Sequence, residues 1–378
     1  MNTHAGSSGD IAIVGAGIIG LSVAFELAAQ GASVRVYDTG EPARAASWAA
    51  AGMLAPLTER LPDEPTQELC ESSLRLYPEF ARAVHEASGV DPHLRLDGIL
   101  HAAYSADDFE RLGSQCDRLR AAGHSATLLS RTETLLAQPA LNKNVHGGLL
   151  VDGEGQVDNR RLGRALVAAC EARGVRIHTG VASLALEFDT RRALGVRTNL
   201  GYVPAGIVIN AAGAWAAELS GVPADCVPPV RAVKGQMLSI QLPAGFMRRT
   251  TWVPGAYFVP RADGRLLVGA TVEEADDVRV TAGAVHSLLH AAVSAAPALG
   301  DFTVSETWAG LRPGTPDDRP CLGATARQGY YLATGHYRNG ILLAPVTARL
   351  LAENVVRGAS EALEAFGVER FGTKAGIA

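Results

Sequence analysis

Ile11 to Val14 is a short apolar run that stops at glycines, the pattern of a strand buried on both faces of a parallel sheet. Ile18 to Gln30 then carries helix formers and closes at Gly31, a C-terminal stop glycine. Ser33 to Tyr37 alternates into a second strand that ends at Asp38, completing a β-α-β unit. Further along, residues 66–88 and Asn159 to Arg173 read as helices, and Val175 to Thr179 and Tyr202 to Asn210 as strands. From about Asp91 to Asn144 the pattern is mixed. Between Val230 and Thr307 short alternating segments dominate: Met237–Gln241, Ala256–Pro260, Arg265–Ala270 and Phe302–Thr307. Such alternation predicts an antiparallel sheet with one buried face, interrupted by a helix over Ala282 to Ala295. Tyr330 to Thr334 predicts a strand and Ile341 to Arg357 a long helix, while the small polar residues 1–10 predict a disordered tail.

The order of these elements implies two domains built from discontinuous pieces. Residues 1–90, 146–222 and 308–378 form one, and residues 91–145 and 223–307 the other. A hydrophobic fraction of 47% and a charged fraction of 19% allow a large core and exclude disorder as the default. The net charge of −5 offers no basic excess for nucleic acid or an anionic membrane surface. The five cysteines, Cys70, Cys116, Cys170, Cys226 and Cys321, have neither disulfide-scaffold nor zinc-ligand spacing. The uncharged stretch Ile11 to Phe25 is too short for a membrane span and no basic leader precedes it, so a soluble cytoplasmic protein is expected.

The candidate chemistry begins at Gly15-Ala16-Gly17-Ile18-Ile19-Gly20, a G-x-G-x-x-G turn placed between a strand and a helix. Gly15 permits the tight turn, Gly17 the approach of a pyrophosphate, and Gly20 the packing of helix on strand. The helix N-terminus favours phosphate charge, and Asp38 can accept from a ribose diol. This motif does not choose between NAD and FAD. Two other features favour FAD. The small-residue segment Arg44 to Leu54 follows the second strand, where an extended flavin cofactor would lie. Thr334 to Gly340 ends a strand and opens the last helix, whose N-terminus can stabilise charge on a reduced flavin ring. The expected fold is therefore α/β, a Rossmann-like FAD-binding domain with a smaller α+β substrate domain on an antiparallel sheet.

SWAAAGMLAP (47–56), WAGLRPGTPDDRP (308–320) and ATGHYRNGILLAP (333–345) closely resemble the glycine oxidases of thiamine biosynthesis. Those belong to the D-amino-acid oxidase and sarcosine oxidase group of FAD proteins. The resemblance runs from about Ile11 to Val356. It implies non-covalent FAD held at Ile18, Ile19, Asp38, Thr39, Ala46, Ser47, Ala51, Gly52 and Met53, with Val181 at the adenine. His336, Tyr337, Arg338, Asn339, Gly340, Ile341 and Leu342 match the contacts to the flavin ring. Arg312 and Arg338 match the arginines that hold the substrate carboxylate, and Tyr257 a tyrosine that helps them. It further implies a small amino-acid substrate, molecular oxygen as acceptor, products imine or 2-oxo acid, ammonia and hydrogen peroxide, and a homo-oligomer, with a tetramer as one option. Val272 stands where the family often has Met, which puts strict glycine preference in doubt. No general base is required, and none stands out.

Plainer readings stand beside these. Arg312 beside the Pro313-Gly314 turn also fits a surface arginine, Arg338 a loop ion pair, and Tyr257 an ordinary strand residue. His336 fits a ring-contacting loop residue rather than a proton shuttle. His286 and His290, four apart on a helix, fit a solvated face better than a metal site. Sarcosine or D-amino-acid oxidases and dehydrogenases of the same fold remain alternatives, as do a flavin-binding protein without turnover and a nicotinamide dehydrogenase.

Overall fold

A computed structural model of the chain describes residues 10–59, 61–181, 184–358 and 360–372. The expected disordered tail falls, but for Asp10, outside these residues. Two large sheets organise the molecule. The first has six strands in the order Cys321–Ala324, Tyr330–Thr334, Ile207–Asn210, Ile11–Val14, Val34–Tyr37 and Arg176–His178. All neighbours are parallel except the Cys321–Ala324 edge. Ile11–Val14 is buried throughout because both faces of the sheet are covered. Ile11 and Ile13 point to a layer of helices, Ile18–Ala29, Glu64–Ser88, Asn159–Ala172 and Ala344–Arg357. Ala12 and Val14 point the other way, into a cluster with Leu186 and Val196 of a three-stranded antiparallel sheet, Leu184–Phe188, Ala193–Thr198 and Gly201–Pro204.

The stretch Tyr202 to Asn210, expected as a single strand, divides at Pro204. Gly201–Pro204 pairs in the small sheet and Ile207–Asn210 in the large parallel sheet. Proline has no N–H to continue a ladder, so the break is local. The last helix starts at Ala344 rather than Ile341. The preceding residues are held in a turn, with the Leu343 amide donating to the Asn339 carbonyl at 2.7 Å.

The second sheet has eight strands: Thr303–Gly314, Arg231–Gln241, Arg265–Gly269, Ala256–Pro260, Thr251–Val253, Ile99–Ala103, Gly147–Val151 and Ala126–Ser130 in spatial order. The alternating segments from 231 to 307 do form antiparallel pairs. The mixed stretch before residue 145 supplies further strands, and Thr251–Val253 joins Ile99–Ala103 in parallel. Helix Ala282–Ala295 covers one face through Leu288, Ala292 and Ala295. Its N-cap is Thr281, whose hydroxyl accepts from the Ala284 amide. The strands Arg231–Gln241 and Thr303–Gly314 are the long ones of this sheet, and Thr303–Gly314 packs through Trp308 and Gly310 on the short helix Ala46–Ala49. All five cysteines are buried and free. Among the described residues no helix is long and apolar enough to cross a membrane.

Candidate active site

The two sheets meet around a cavity of about 880 Å³ that runs from Gly15 and Gly17 past Ala45–Gly52 to Arg312 and Tyr257. The glycine turn is closed by its own backbone. A Cβ on Gly15, at φ +109°, would stand 2.3 Å from the Ala211 carbonyl oxygen, and a Cβ on Gly20 1.9 Å from the Gly15 oxygen. Neither backbone can yield, so both positions require glycine. Gly17 differs: it lines the cavity and its Cβ would meet Ser47 Oγ at 3.4 Å and nothing nearer. The open side of this turn is a cradle for a phosphate at the N-terminus of helix Ile18–Ala29. The Asp38 carboxylate ties the unit together, accepting from the Ala16 amide at 2.7 Å and the Gly40 amide at 2.8 Å.

The small-residue segment is pinned from outside through its carbonyls. Asn159 Nδ2 donates to the Ser47 carbonyl at 2.7 Å, and Trp308 Nε1 to that of Ala49 at 2.9 Å. Arg261 Nη2 donates to Ala51 at 2.7 Å and the Val157 amide to Gly52 at 2.9 Å. Ser47 Oγ accepts from the Ile18 amide at 2.8 Å and so locks the segment to the helix start. Small side chains are needed on the packed side too: a Cβ on Gly310 would lie 2.4 Å from that of Ala49. The Arg160 guanidinium stacks 3.6 Å from the Trp48 ring centroid and pairs with Glu306 at 2.8 Å.

At the other end stand the candidate substrate residues. Arg312 comes from the long edge strand, and Gly235 on the neighbouring strand leaves the space its guanidinium fills; a Cβ there would lie 2.2 Å from Nη1. Arg312 Nη1 donates to the Thr271 carbonyl at 3.3 Å. That loop is held by Lys234, buried and paired with Asp277 at 2.8 Å. Tyr257 lies against Gly269, where a Cβ would meet its ring at 2.5 Å, and its edge meets Trp252 with centroids 5.2 Å apart. Burial pushes its hydroxyl up to about 12, opposed by the Arg312 charge, so it is a neutral donor at working pH. Arg338 is different in kind: it is exposed at the cavity rim and rests 5.1 Å from the Tyr337 ring centroid. Val272 also lines the cavity and is 52% exposed.

Most residues expected at the site line this single cavity: Gly15, Gly17, Ile18, Ile19, Asp38, Thr39, Ala46, Ser47, Ala51, Gly52, Met53, Tyr257, Arg312, His336, Tyr337, Arg338, Gly340 and Ile341. Four are placed elsewhere. Gly20 packs on Gly15, and Leu342 is buried in the helix-side core. Val181 is buried, its amide donating to the Asp38 carbonyl at 3.1 Å. Asn339 serves the turn, its amide donating to the His336 carbonyl at 2.9 Å. His336 is buried, with Nε2 3.1 Å from Thr347 Oγ1, and burial lowers its pKa to about 3. It stays neutral at working pH, with a single ring N–H.

Three residues were missed by sequence reasoning. Arg261 is buried and fans out to Ala51, Gln156, Val157 and Asn159. Glu154 is buried and accepts from the Leu57 and Thr58 amides. Glu59 lines the cavity beside the arginines. No local motif marks any of them, since their partners lie far away in the chain.

This is the architecture of a dinucleotide-dependent enzyme with a second sheet that presents cationic and phenolic groups to the same cavity. The chain belongs to the FAD dependent oxidoreductase family, whose pattern matches residues 10–354. It is 38% identical over 360 residues to the bifunctional protein ThiO/ThiG of Trichormus variabilis, covering 94% of this chain and 54% of that protein. It thus spans about half the length of the bifunctional ThiO/ThiG relatives it matches. It is 34% identical to the glycine oxidase of Geobacillus kaustophilus, covering 92% of this chain and 93% of that one. The crystal structure of glycine oxidase from Geobacillus kaustophilus superposes with a TM-score of 0.90 at 34% identity, covering 96% of this chain and 98% of that one.

The cradle fits the family's cofactor: the open side of Gly17, the helix N-terminus and Asp38 would hold the dinucleotide end, and the segment 46–53 and the turn 336–341 would flank its ring. Asp38→Ala leaves the Ala16 and Gly40 amides without their acceptor and removes a carboxylate from the cavity wall. The variant is expected to lose flavin on gel filtration, read as a fall in the ratio of visible to ultraviolet absorbance; full retention would remove Asp38 from the cofactor site.

Proposed function

We propose that this protein catalyses FAD-dependent oxidative deamination of glycine, and of other small amines or D-amino acids, as part of thiazole formation in thiamine biosynthesis. The observation that carries this reading is the convergence of Arg312 and Tyr257 with the glycine turn and the small-residue segment on a single cavity. Arg312 offers two parallel N–H donors to a carboxylate, and the neutral Tyr257 hydroxyl adds a third. Arg338, at the rim beside Tyr337, offers a second cation to a bound anion. Such a clamp fixes the α-carbon in orientation, and positioning is the protein's main contribution. When bound, FAD would supply the electron chemistry as hydride acceptor. The imine hydrolyses to the 2-oxo acid and ammonia, and oxygen takes the electrons to give hydrogen peroxide. The likeness to glycine oxidases supports this reading, and with it a homo-oligomer, a tetramer among the options, in the cytoplasm.

Val272 bears on substrate range. Its small, half-exposed side chain leaves room on the cavity wall, which favours acceptance of sarcosine or D-alanine beside glycine. The test is the anaerobic visible spectrum of the purified holoprotein before and after glycine. Bleaching is expected with glycine, followed by return of the oxidised spectrum and formation of peroxide when air is admitted. A spectrum untouched by glycine, sarcosine and D-alanine alike would overturn the proposal.

A further inference from the structure

Glycine in water is a zwitterion, and its nitrogen lone pair is unavailable until the ammonium loses a proton. Arg312, Arg338 and Tyr257 suit its carboxylate but repel or ignore its ammonium. The described cavity wall holds four carboxylates, Asp38, Glu41, Glu59 and Glu218. Asp38 is engaged by the Ala16 and Gly40 amides at the glycine turn, and Glu41 stands at the same end beside Arg44. Glu218 follows the Gly213–Trp215 turn. Glu59 lines the cavity with Arg312, Arg338 and Tyr257 and is close enough for its charge to act on all three.

Resting on the amine-oxidase reading above, we propose that Glu59 binds the substrate's ammonium group and takes its proton. The N–H bond breaks, an O–H bond forms on the Glu59 carboxyl, and opposite charges on the two groups cancel. What remains is a neutral amine whose lone pair can form the C=N bond as the α-hydrogen leaves with its electron pair.

The geometry around Glu59 supports this. Among the described residues its side chain has no hydrogen-bond or ion-pair partner. The segment that carries it is anchored by Glu154, fully buried, whose Oε1 accepts from the Leu57 and Thr58 amides. Oε2 of Glu154 is buried without a partner. Glu154 is thus a positioning residue for the Glu59 loop. The titratable and charged groups near enough to interact electrostatically with Glu59 are Arg338, Arg312, Tyr257, Glu154 and, from helix Glu64–Ser88, Cys70. Burial pushes Glu59 up to about 7, against the pull of Arg338 and Arg312. A base poised near the working pH is the efficient kind. The carboxylate form dominates above about pH 7, so kcat/KM falls as pH drops below that point.

The test is Glu59→Gln in the holoenzyme, with kcat/KM for glycine measured from pH 6 to 10. Wild type is expected to level off above about pH 7. The variant is expected to lose about 10²-fold at pH 7, then to regain activity tenfold per pH unit until free glycine itself deprotonates. Acetate, a carboxylate without an amine, is the probe for a merely structural effect. Its affinity, read from the perturbed flavin spectrum, should stay within about twofold of wild type. A variant profile that superimposes on wild type would overturn the assignment, as would equal losses of acetate and glycine binding. If wild-type flavin is not bleached by any small amine, the amine-oxidase reading fails, and this inference with it.

Discussion

Arg312→Ala is expected to raise KM for glycine by about 10²–10³-fold while flavin stays bound and the fold is kept. The guanidinium occupies the space left by Gly235 and is held by the Thr271 carbonyl, so its direction is fixed before substrate arrives. Truncating one partner of a desolvated, hydrogen-bonded charge pair costs about 2–5 kcal/mol. At about 1.4 kcal/mol per factor of ten the effect spans the range stated. Arg338 stands exposed at the rim, where water screens it, so Arg338→Ala is the weaker of the two changes. The measurement is initial-rate kinetics with the flavin content of each preparation determined. An unchanged KM would remove Arg312 from the substrate site.

The second large effect is expected at Arg261, which touches no substrate. Its guanidinium is buried and donates to the Ala51 and Val157 carbonyls and to the Asn159 and Gln156 side chains. Burial lowers its pKa to about 10, yet it remains charged at neutral pH. It joins the strand Ala256–Pro260 of the second sheet to the small-residue segment at the base of the cofactor cradle. Arg261→Ala leaves four buried acceptors unpaired, and breaking such a network costs about 3–5 kcal/mol. With about 2.1 cal/mol/K per residue of unfolding entropy, Tm falls by about 5 °C for a chain of this length. The Ala51 carbonyl loses its outer donor and the neighbouring Val157 and Asn159 lose theirs, so purified protein should carry flavin at well under full occupancy. Lysine should not rescue it, because a single ammonium cannot span the fork of acceptors. Full occupancy with unchanged Tm in Arg261→Ala would refute this role.

Two kinds of residue separate here. Gly15, Gly17 and Gly20 form a turn whose backbone shape is set locally, and their spacing announces them. Arg261 and Glu154 act through partners about a hundred residues away in sequence, as in the bonds from Arg261 to Asn159 and from Glu154 to Leu57. No periodicity encodes such pairs. The strand division at Pro204 lies between the two: the proline was visible, but the choice of two different sheets for the two halves depends on which neighbours are present.

The sequence by itself determined the β-α-β start, the dinucleotide turn, the antiparallel strands of the second sheet between residues 231 and 307 and the residue types fit for a carboxylate clamp. These follow from short-range periodicity and from backbone conformations only glycine tolerates, together with long motifs shared with known flavoproteins. Tertiary structure alone decided that Arg312 and Tyr257 share a cavity with the glycine turn, that Arg338 stays at its rim, and that Glu59 lines the same cavity. Those outcomes depend on how two sheets dock. Docking is set by side-chain volumes and buried hydrogen bonds summed over distant segments, such as Gly235 against Arg312, Gly310 against Ala49, and Arg261 among its four acceptors.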